Sequence, residues 1–133
     1  MFVLMFRKIF LVVFISSILT GCFSVKNTNN FSYEKLTVDQ YQEMLSDSSN
    51  YTIIDVRTKK EYKKGHFENS INLSFLSLRY GAMVDSLQKD KLVFVYCQTC
   101  HRSPLAARRM KRMGFRKIYD LKGGYSKLKK SNY

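Results

Sequence analysis

The segment that decides the fold is residues 92–107, Leu-Val-Phe-Val-Tyr-Cys-Gln-Thr-Cys-His-Arg-Ser-Pro-Leu-Ala-Ala. Its first five residues are apolar, aromatic or β-branched without alternation, a pattern typical of a strand buried on both faces of a parallel sheet. Ser103 is a favourable N-cap and Pro104 suits the first helical position, so a helix is predicted to begin here. The segment therefore predicts a buried strand, a short loop and a helix.

Outward from this segment, strand-like and helix-like patterns alternate along the chain. Further strands are predicted over residues 51–56, 70–73 and 117–121. Further helices are predicted from a Thr37/Gln40 capping box through Met44, over 60–64, over 76–87 and after Gly123-Gly124, and the helix after Pro104 is predicted to stop at Gly114. Alternation of this kind predicts an α/β fold: one domain with a central, mainly parallel β-sheet flanked by helices on both faces.

The loop after the central strand carries the candidate chemistry, because ligands of such sheets sit at the carboxyl ends of the strands. Cys97 leaves the strand and precedes a helix, where backbone N–H groups and the helix N-terminus converge on one negative group. The same field stabilises a thiolate, which makes Cys97 the candidate nucleophile. Arg102 adds a permanent positive charge that suits an oxyanion.

These residues resemble the active-site loop of rhodanese-like domains, Cys-x-x-Gly-x-Arg followed by Ser or Thr. Other segments match that family in the same order, over about residues 33–130. They are Asp55-Val56-Arg57 with Glu61-Tyr62, then Gly65-His66-Phe67, Ser70-Ile71-Asn72, Gly114-Phe115, and Leu121-Lys122-Gly123-Gly124-Tyr125, with Tyr125 where a Trp is commoner.

The resemblance implies sulfur transfer. Cys97 would take a sulfane sulfur from a small anionic donor such as thiosulfate, hold it as a persulfide, and pass it to a thiol, a partner protein or cyanide. Arg102 would be catalytic with Cys97, and the substrate-binding loop would comprise Gln98, Thr99, Cys100, His101 and Ser103. Asp55, Arg57 and Glu61 are expected near the pocket, with a structural role the favoured interpretation. No cofactor or metal is predicted.

The number of residues in the loop distinguishes rhodanese-like domains from a family of phosphatases that shares their fold. Four residues separate Cys97 from Arg102, whereas the cell-cycle dual-specificity phosphatases that share the fold have five. The shorter loop suits a sulfur atom better than a phosphoryl group, so phosphatase activity is not expected.

Cys100 departs from the resemblance, because it stands where glycine is usual. If the backbone there required positive φ, a cysteine would cost roughly 1 kcal/mol relative to glycine. Cys100 is also a possible resolving thiol, which would attack a persulfide on Cys97, release sulfide and leave a disulfide. Alternatively, Cys97 and Cys100 would form the redox pair of a dithiol–disulfide oxidoreductase. Cys97, Cys100 and His101 together match the c-type haem attachment pattern, a further alternative. The last alternative function is that of a non-catalytic binding module.

The N-terminus predicts export. Residues 1–21 read as a lipoprotein signal peptide: a basic Arg7-Lys8 pair, an apolar run, and Leu19-Thr20-Gly21-Cys22, which resembles a lipobox. Cys22 is the predicted lipidation site, although an uncleaved anchor helix is the alternative reading. Residues 22–32 would form the lipidated cysteine and linker, and residues 33–133 the domain. Since Phe23 is not an aspartate, an outer membrane is favoured over an inner one if the source has two.

The net charge of +13 bears on the partners. It favours anionic substrates and the lipid headgroups beside an anchored domain. The basic residues are not interleaved with aromatic ones in the manner of nucleic-acid-binding surfaces, so nucleic-acid binding is not expected.

Overall fold

The computed structural model describes residues 30–131. The predicted signal peptide, Cys22 and most of the linker lie outside these residues. The elements in chain order are β1 (Ser32–Leu36), α1 (Val38–Ser46), β2 (Tyr51–Asp55), α2 (Lys59–Lys63), β3 (Ile71–Asn72), α3 (Tyr80–Asp85), β4 (Leu92–Tyr96), α4 (Arg102–Arg112), β5 (Lys117–Leu121) and α5 (Gly124–Lys130).

The five strands form one sheet in the order β1-β5-β4-β2-β3, and every pairing is parallel. The predicted α/β class is therefore confirmed. β4 is the central strand, and its residues 93–96 are fully buried, which explains their continuous apolar pattern. A parallel sheet places all its carboxyl ends on one edge, so the loop after β4 opens at that edge.

The side chains of β4 alternate between two hydrophobic cores. Val93 and Val95 pack in a cluster with residues of α3 and α4. Phe94 and Tyr96 pack on the opposite face in a cluster with residues of α1 and α5. Helices thus cover both faces of the sheet, as predicted, because each face presents an apolar surface that must be buried.

Two boundaries of the predicted elements differ from the structure. Ser32, assigned to the linker, is the first residue of β1, and its N–H donates to the Arg116 carbonyl at 2.8 Å. β1 was not predicted because it is an edge strand. Its two consecutive exposed residues, Glu34 and Lys35, interrupt the alternation of apolar and polar residues that indicates a strand. The helix predicted over 76–87 is shorter, since turns precede α3, which begins at Tyr80.

The prediction that Ser103 caps α4 is wrong. The helix begins at Arg102, its N-cap is His101, and no side chain caps it. Ser103 lies inside the first turn, fully buried. Pro104 is then the third helical residue, where its missing N–H costs nothing because the N–H groups of the first turn have no partner within the helix. Among the helices of residues 30–131, none has the length and apolar character that a bilayer crossing requires.

Candidate functional site

Cys97 lies directly after β4, between the sheet and the first turn of α4. It is 1% exposed. The Ser103 hydroxyl donates to Cys97 Sγ at 3.4 Å, which is the contact that Ser103 makes in place of the predicted capping bond. The candidate nucleophile is therefore held by a hydroxyl donor from the adjacent helix.

The loop that follows Cys97 has free backbone donors. Thr99, Cys100 and His101 are exposed, and in the described part of the chain their N–H groups donate to no protein acceptor. Unpaired amides beside a helix N-terminus form a site for negative charge. Cys100 does not adopt positive φ; Asn69 is the one non-glycine residue between 30 and 131 that does. The cysteine in the glycine position therefore carries no left-handed strain.

The start of α5 fixes the beginning of the loop. The Tyr125 N–H donates to the Cys97 carbonyl at 2.8 Å, and the Ser126 N–H donates to the Gln98 carbonyl at 3.0 Å. Gly124 permits this approach, because a Cβ at its position would overlap the Cys97 carbonyl oxygen and lie 2.8 Å from the Gln98 carbonyl carbon. Sequence reasoning missed this role of Gly124, although the paired glycines were its signal.

A buried ion pair supports the same loop from the other side. Asp55 is fully buried and Arg57 is 2% exposed, and their side chains are joined by several hydrogen bonds, the shortest of 2.6 Å. Arg57 also donates to the Gln98 side chain at 3.1 Å and to the Gly65 carbonyl at 2.7 Å. Its guanidinium lies 4.0 Å from the centre of the Tyr125 ring. Through these contacts Arg57 joins Asp55 to the loop and to the start of α5; the structural role favoured for both residues from the sequence stays a prediction.

Arg102 is engaged by a carboxylate. It donates two hydrogen bonds to Glu61, at 2.8 and 2.6 Å. The same carboxylate accepts from the backbone N–H of Thr58, as part of the capping box of α2, and also from the Thr58 hydroxyl. The hydrogen bonds from Arg102 lower the pKa of Glu61 to about 2. The family resemblance assigns Arg102 to the sulfur donor, and this role stays a prediction; in the structure the Arg102 guanidinium binds Glu61.

A groove of about 600 Å³ lies beside the loop. It is lined by Arg57, Glu61, Lys64, Gln98, Tyr125, Ser126, Lys129 and Lys130. Its three lysines have no ion-pair partner within residues 30–131. The groove is consequently basic. Sequence reasoning could not place it, because Lys64 and the lysines of α5 are far apart in the chain.

The sequence analysis also did not identify Asp120, a buried carboxylate near Cys97. Asp120 is 1% exposed and accepts from the Tyr33 hydroxyl at 2.5 Å. Burial raises the pKa of Asp120, while hydrogen bonding from Tyr33 and Ser103 partly offsets that effect. The available signal was a carboxylate, Asp120, inside the predicted strand over residues 117–121.

These features define a class of protein: a parallel α/β domain with a buried cysteine at the end of its central strand, followed by a loop of free amides and a helix. The comparison with family models identifies the class. The chain belongs to the rhodanese-like domain family, whose model matches residues 37–131.

Individual relatives agree with this assignment. A rhodanese-related protein of Thermoplasma volcanium has a crystal structure that superposes with a TM-score of 0.64 at 29% identity, covering 76% of this chain and 95% of that one. A probable molybdopterin-synthase adenylyltransferase of Porphyra purpurea is 30% identical over 84% of this chain. A putative sulfur carrier protein of Bacillus subtilis, YrkF, is 25% identical over 72% of it. The chain spans 28% and 51% of the lengths of these two curated relatives.

Proposed function

We propose that this protein is a sulfurtransferase that carries sulfane sulfur as a persulfide on Cys97. The thiolate attacks the outer sulfur of thiosulfate or a related donor, a new sulfur–sulfur bond forms, and sulfite leaves with the electron pair of the broken bond. A thiol or cyanide then takes the outer sulfur and regenerates the thiolate. The observation that carries the proposal is Cys97 at the carboxyl end of β4, beside the free amides of residues 99–101.

The basic groove supports an anionic donor. Three lysines without carboxylate partners surround a space next to Gln98, so their field raises the local concentration of small anions. The persulfide formed on Cys97 is also anionic, and the loop amides are suited to hold its charge. A relative described as a putative sulfur carrier is consistent with this chemistry.

Cys100 supports a second candidate, a dithiol–disulfide oxidoreductase. Its thiol is free and exposed, three residues from Cys97 in the same loop. In this reaction the two thiols form a disulfide and pass two electrons to an oxidised partner.

The proposed location is outside the cytoplasm, with the domain anchored through a lipid on Cys22. The lipobox-like sequence supports this proposal. Because the described domain begins only about ten residues after Cys22, the linker would hold it close to the lipid headgroups.

The test is the intact mass of the full-length chain, reduced and then treated with thiosulfate, beside its Cys97→Ala and Cys100→Ser variants. We expect the parent chain and Cys100→Ser to gain one sulfur atom and Cys97→Ala to gain none. A second portion of each reduced chain is treated with oxidised glutathione and no thiosulfate, so that a disulfide exchange partner accepts the two electrons; a loss of two hydrogens that requires both cysteines in this portion, with no sulfur gain in the thiosulfate portion, would favour the oxidoreductase. No mass change in any of the chains would contradict both proposals.

A further inference from the structure

We propose that residues 111–117, which we call the basic turn, bind anionic lipid headgroups and direct the active-site loop away from the membrane. This inference goes beyond sulfur transfer. It rests on the proposed anchoring for the presence of a membrane nearby, but the contact between the basic turn and anionic lipid can be measured separately.

The topology places the entry of the chain and the candidate active site at opposite edges of the sheet. All five strands are parallel, so they begin at one edge, the amino edge, and end at the other. Ser32 begins β1 at the amino edge, whereas Cys97 follows the end of β4. A strand rises about 3.3 Å per residue, so about 16 Å separate the two ends of a five-residue strand. The chain therefore enters the domain on the side opposite the thiol.

The basic turn lies directly beside this entry point. The Ser32 N–H donates to the Arg116 carbonyl at 2.8 Å, and Ser32 is paired with Lys117 in the sheet. The Lys111 ammonium lies 4.8 Å from the centre of the Phe31 ring. The first residues of the domain are thus in contact with both ends of the basic turn.

The positive charge of the basic turn is exposed and unpaired. Residues 111–117 include Lys111, Arg112, Arg116 and Lys117 and no acidic residue. All four are exposed, and none forms an ion pair among the residues that the structure describes. The Glu34 carboxylate attracts Lys117 but does not lie within ion-pair distance of it.

The neighbouring loop before β4 does not neutralise this charge. It lies against the basic turn, since a Cβ on Gly114 would be 3.8 Å from the Lys89 side chain. Lys89 binds Asp85 at 2.7 Å, and the adjacent Asp90 and Lys91 have opposite charges. The loop consequently adds no net charge, and the amino edge stays positive.

A membrane surface is the occupant that the chain's own connectivity favours. Ten residues separate Ser32 from Cys22, and ten residues span at most about 35 Å even when fully extended. A domain anchored at Cys22 therefore keeps its amino edge near the headgroups. Anionic lipid attracts Lys and Arg close to the surface, and a lipid chain and a basic patch together give stable attachment. In this orientation the active-site loop faces the solution, where small anions and partner thiols reach it.

The test is the acylation of individual lysines in the full-length chain on phospholipid vesicles, followed by peptide mass spectrometry. Vesicles of phosphatidylcholine alone are compared with vesicles that also contain anionic phosphatidylglycerol. We expect Lys111 and Lys117 to react at least about threefold more slowly on the anionic vesicles, because each basic residue near such a surface favours contact about fivefold. Lys64 and Lys122, at the active-site edge, should react equally on both.

Two double variants with the same change in charge sharpen the test. Arg112→Gln with Arg116→Gln keeps both reporter lysines of the basic turn and should lower the equilibrium constant for contact about 25-fold, which removes their protection. Lys129→Gln with Lys130→Gln, away from the basic turn, should leave that protection in place. High salt should abolish the protection in the parent chain, because exposed charges are screened.

Equal acylation of the two reporter lysines on both kinds of vesicle would overturn the proposal. Protection of Lys64 and Lys122 in their place would also overturn it, since the active-site edge would then face the membrane. Stronger protection by duplex DNA than by anionic vesicles would refute the choice of lipid. A chain that does not stay on neutral vesicles would contradict the anchor alone, and the anionic vesicles would still decide the basic turn. Persulfide formation at the parent rate in the Arg112→Gln, Arg116→Gln chain checks its folding, and persulfide formation in the parent chain tests the sulfurtransferase separately.

Discussion

Replacing Gly124 by alanine should detach the active-site loop from α5. A Cβ there would overlap the Cys97 carbonyl and the Gln98 backbone, so α5 must move away. The two backbone hydrogen bonds from Tyr125 and Ser126 would then be lost, at about 1 kcal/mol each. The left-handed φ of 59° at Gly124 adds about 1 kcal/mol. The expected loss in the free energy of unfolding is therefore about 3 kcal/mol.

Gly114→Ala is the matched control. Gly114 also has positive φ, 94°, but its added Cβ meets only a lysine side chain at 3.8 Å, so about 1 kcal/mol of strain is expected. Urea denaturation followed by far-ultraviolet circular dichroism measures both, since the chain has no tryptophan. Persulfide formation from thiosulfate should fall at least tenfold in Gly124→Ala and stay near the parent rate in Gly114→Ala. Equal destabilisation of the two variants would refute the packing argument.

Two further predictions concern the ion pairs around the loop. Glu61 has its pKa lowered from 4.5 to about 2 in the folded chain, so its contribution to stability is complete above pH 4.5 and is lost as the pH falls through 2. A urea series between these pH values should show that Glu61→Gln loses less stability on acidification than the parent, and parallel curves would contradict this. Asp55→Ala leaves the Arg57 guanidinium buried without its carboxylate, and we expect a loss of about 3–5 kcal/mol in urea denaturation. Asp85→Ala, which removes an exposed i,i+4 ion pair, should cost under about 1 kcal/mol; a similar loss in both variants would argue against a buried charge at Arg57.

The sequence was sufficient for features that local patterns encode. The apolar run 92–96 indicated the central parallel strand, because only a strand covered on both faces lacks polar alternation. The Thr37 capping box marked the start of α1 correctly. The cysteine after that strand, with the family resemblance around it, indicated the position of the site and its thiol.

Patterns of this kind failed where a residue's role depended on a distant partner. Ser103 has the side chain of a good N-cap, yet its hydroxyl contacts Cys97 within the packed site instead. The edge strand β1 has too few buried residues to show a strand pattern, and it is stabilised by pairing with β5, about 85 residues further along the chain.

The sequence alone therefore determined the α/β class, the central strand and the candidate nucleophile, since these depend on residues close together in the chain. Only the tertiary structure decided that Arg102 binds Glu61, that three lysines from two helical regions share a groove, and that Asp120 lies near Cys97. The physical reason is that ion pairs and hydrogen bonds act over a few ångströms in space. The chain brings these partners together only when the sheet and its helices have packed.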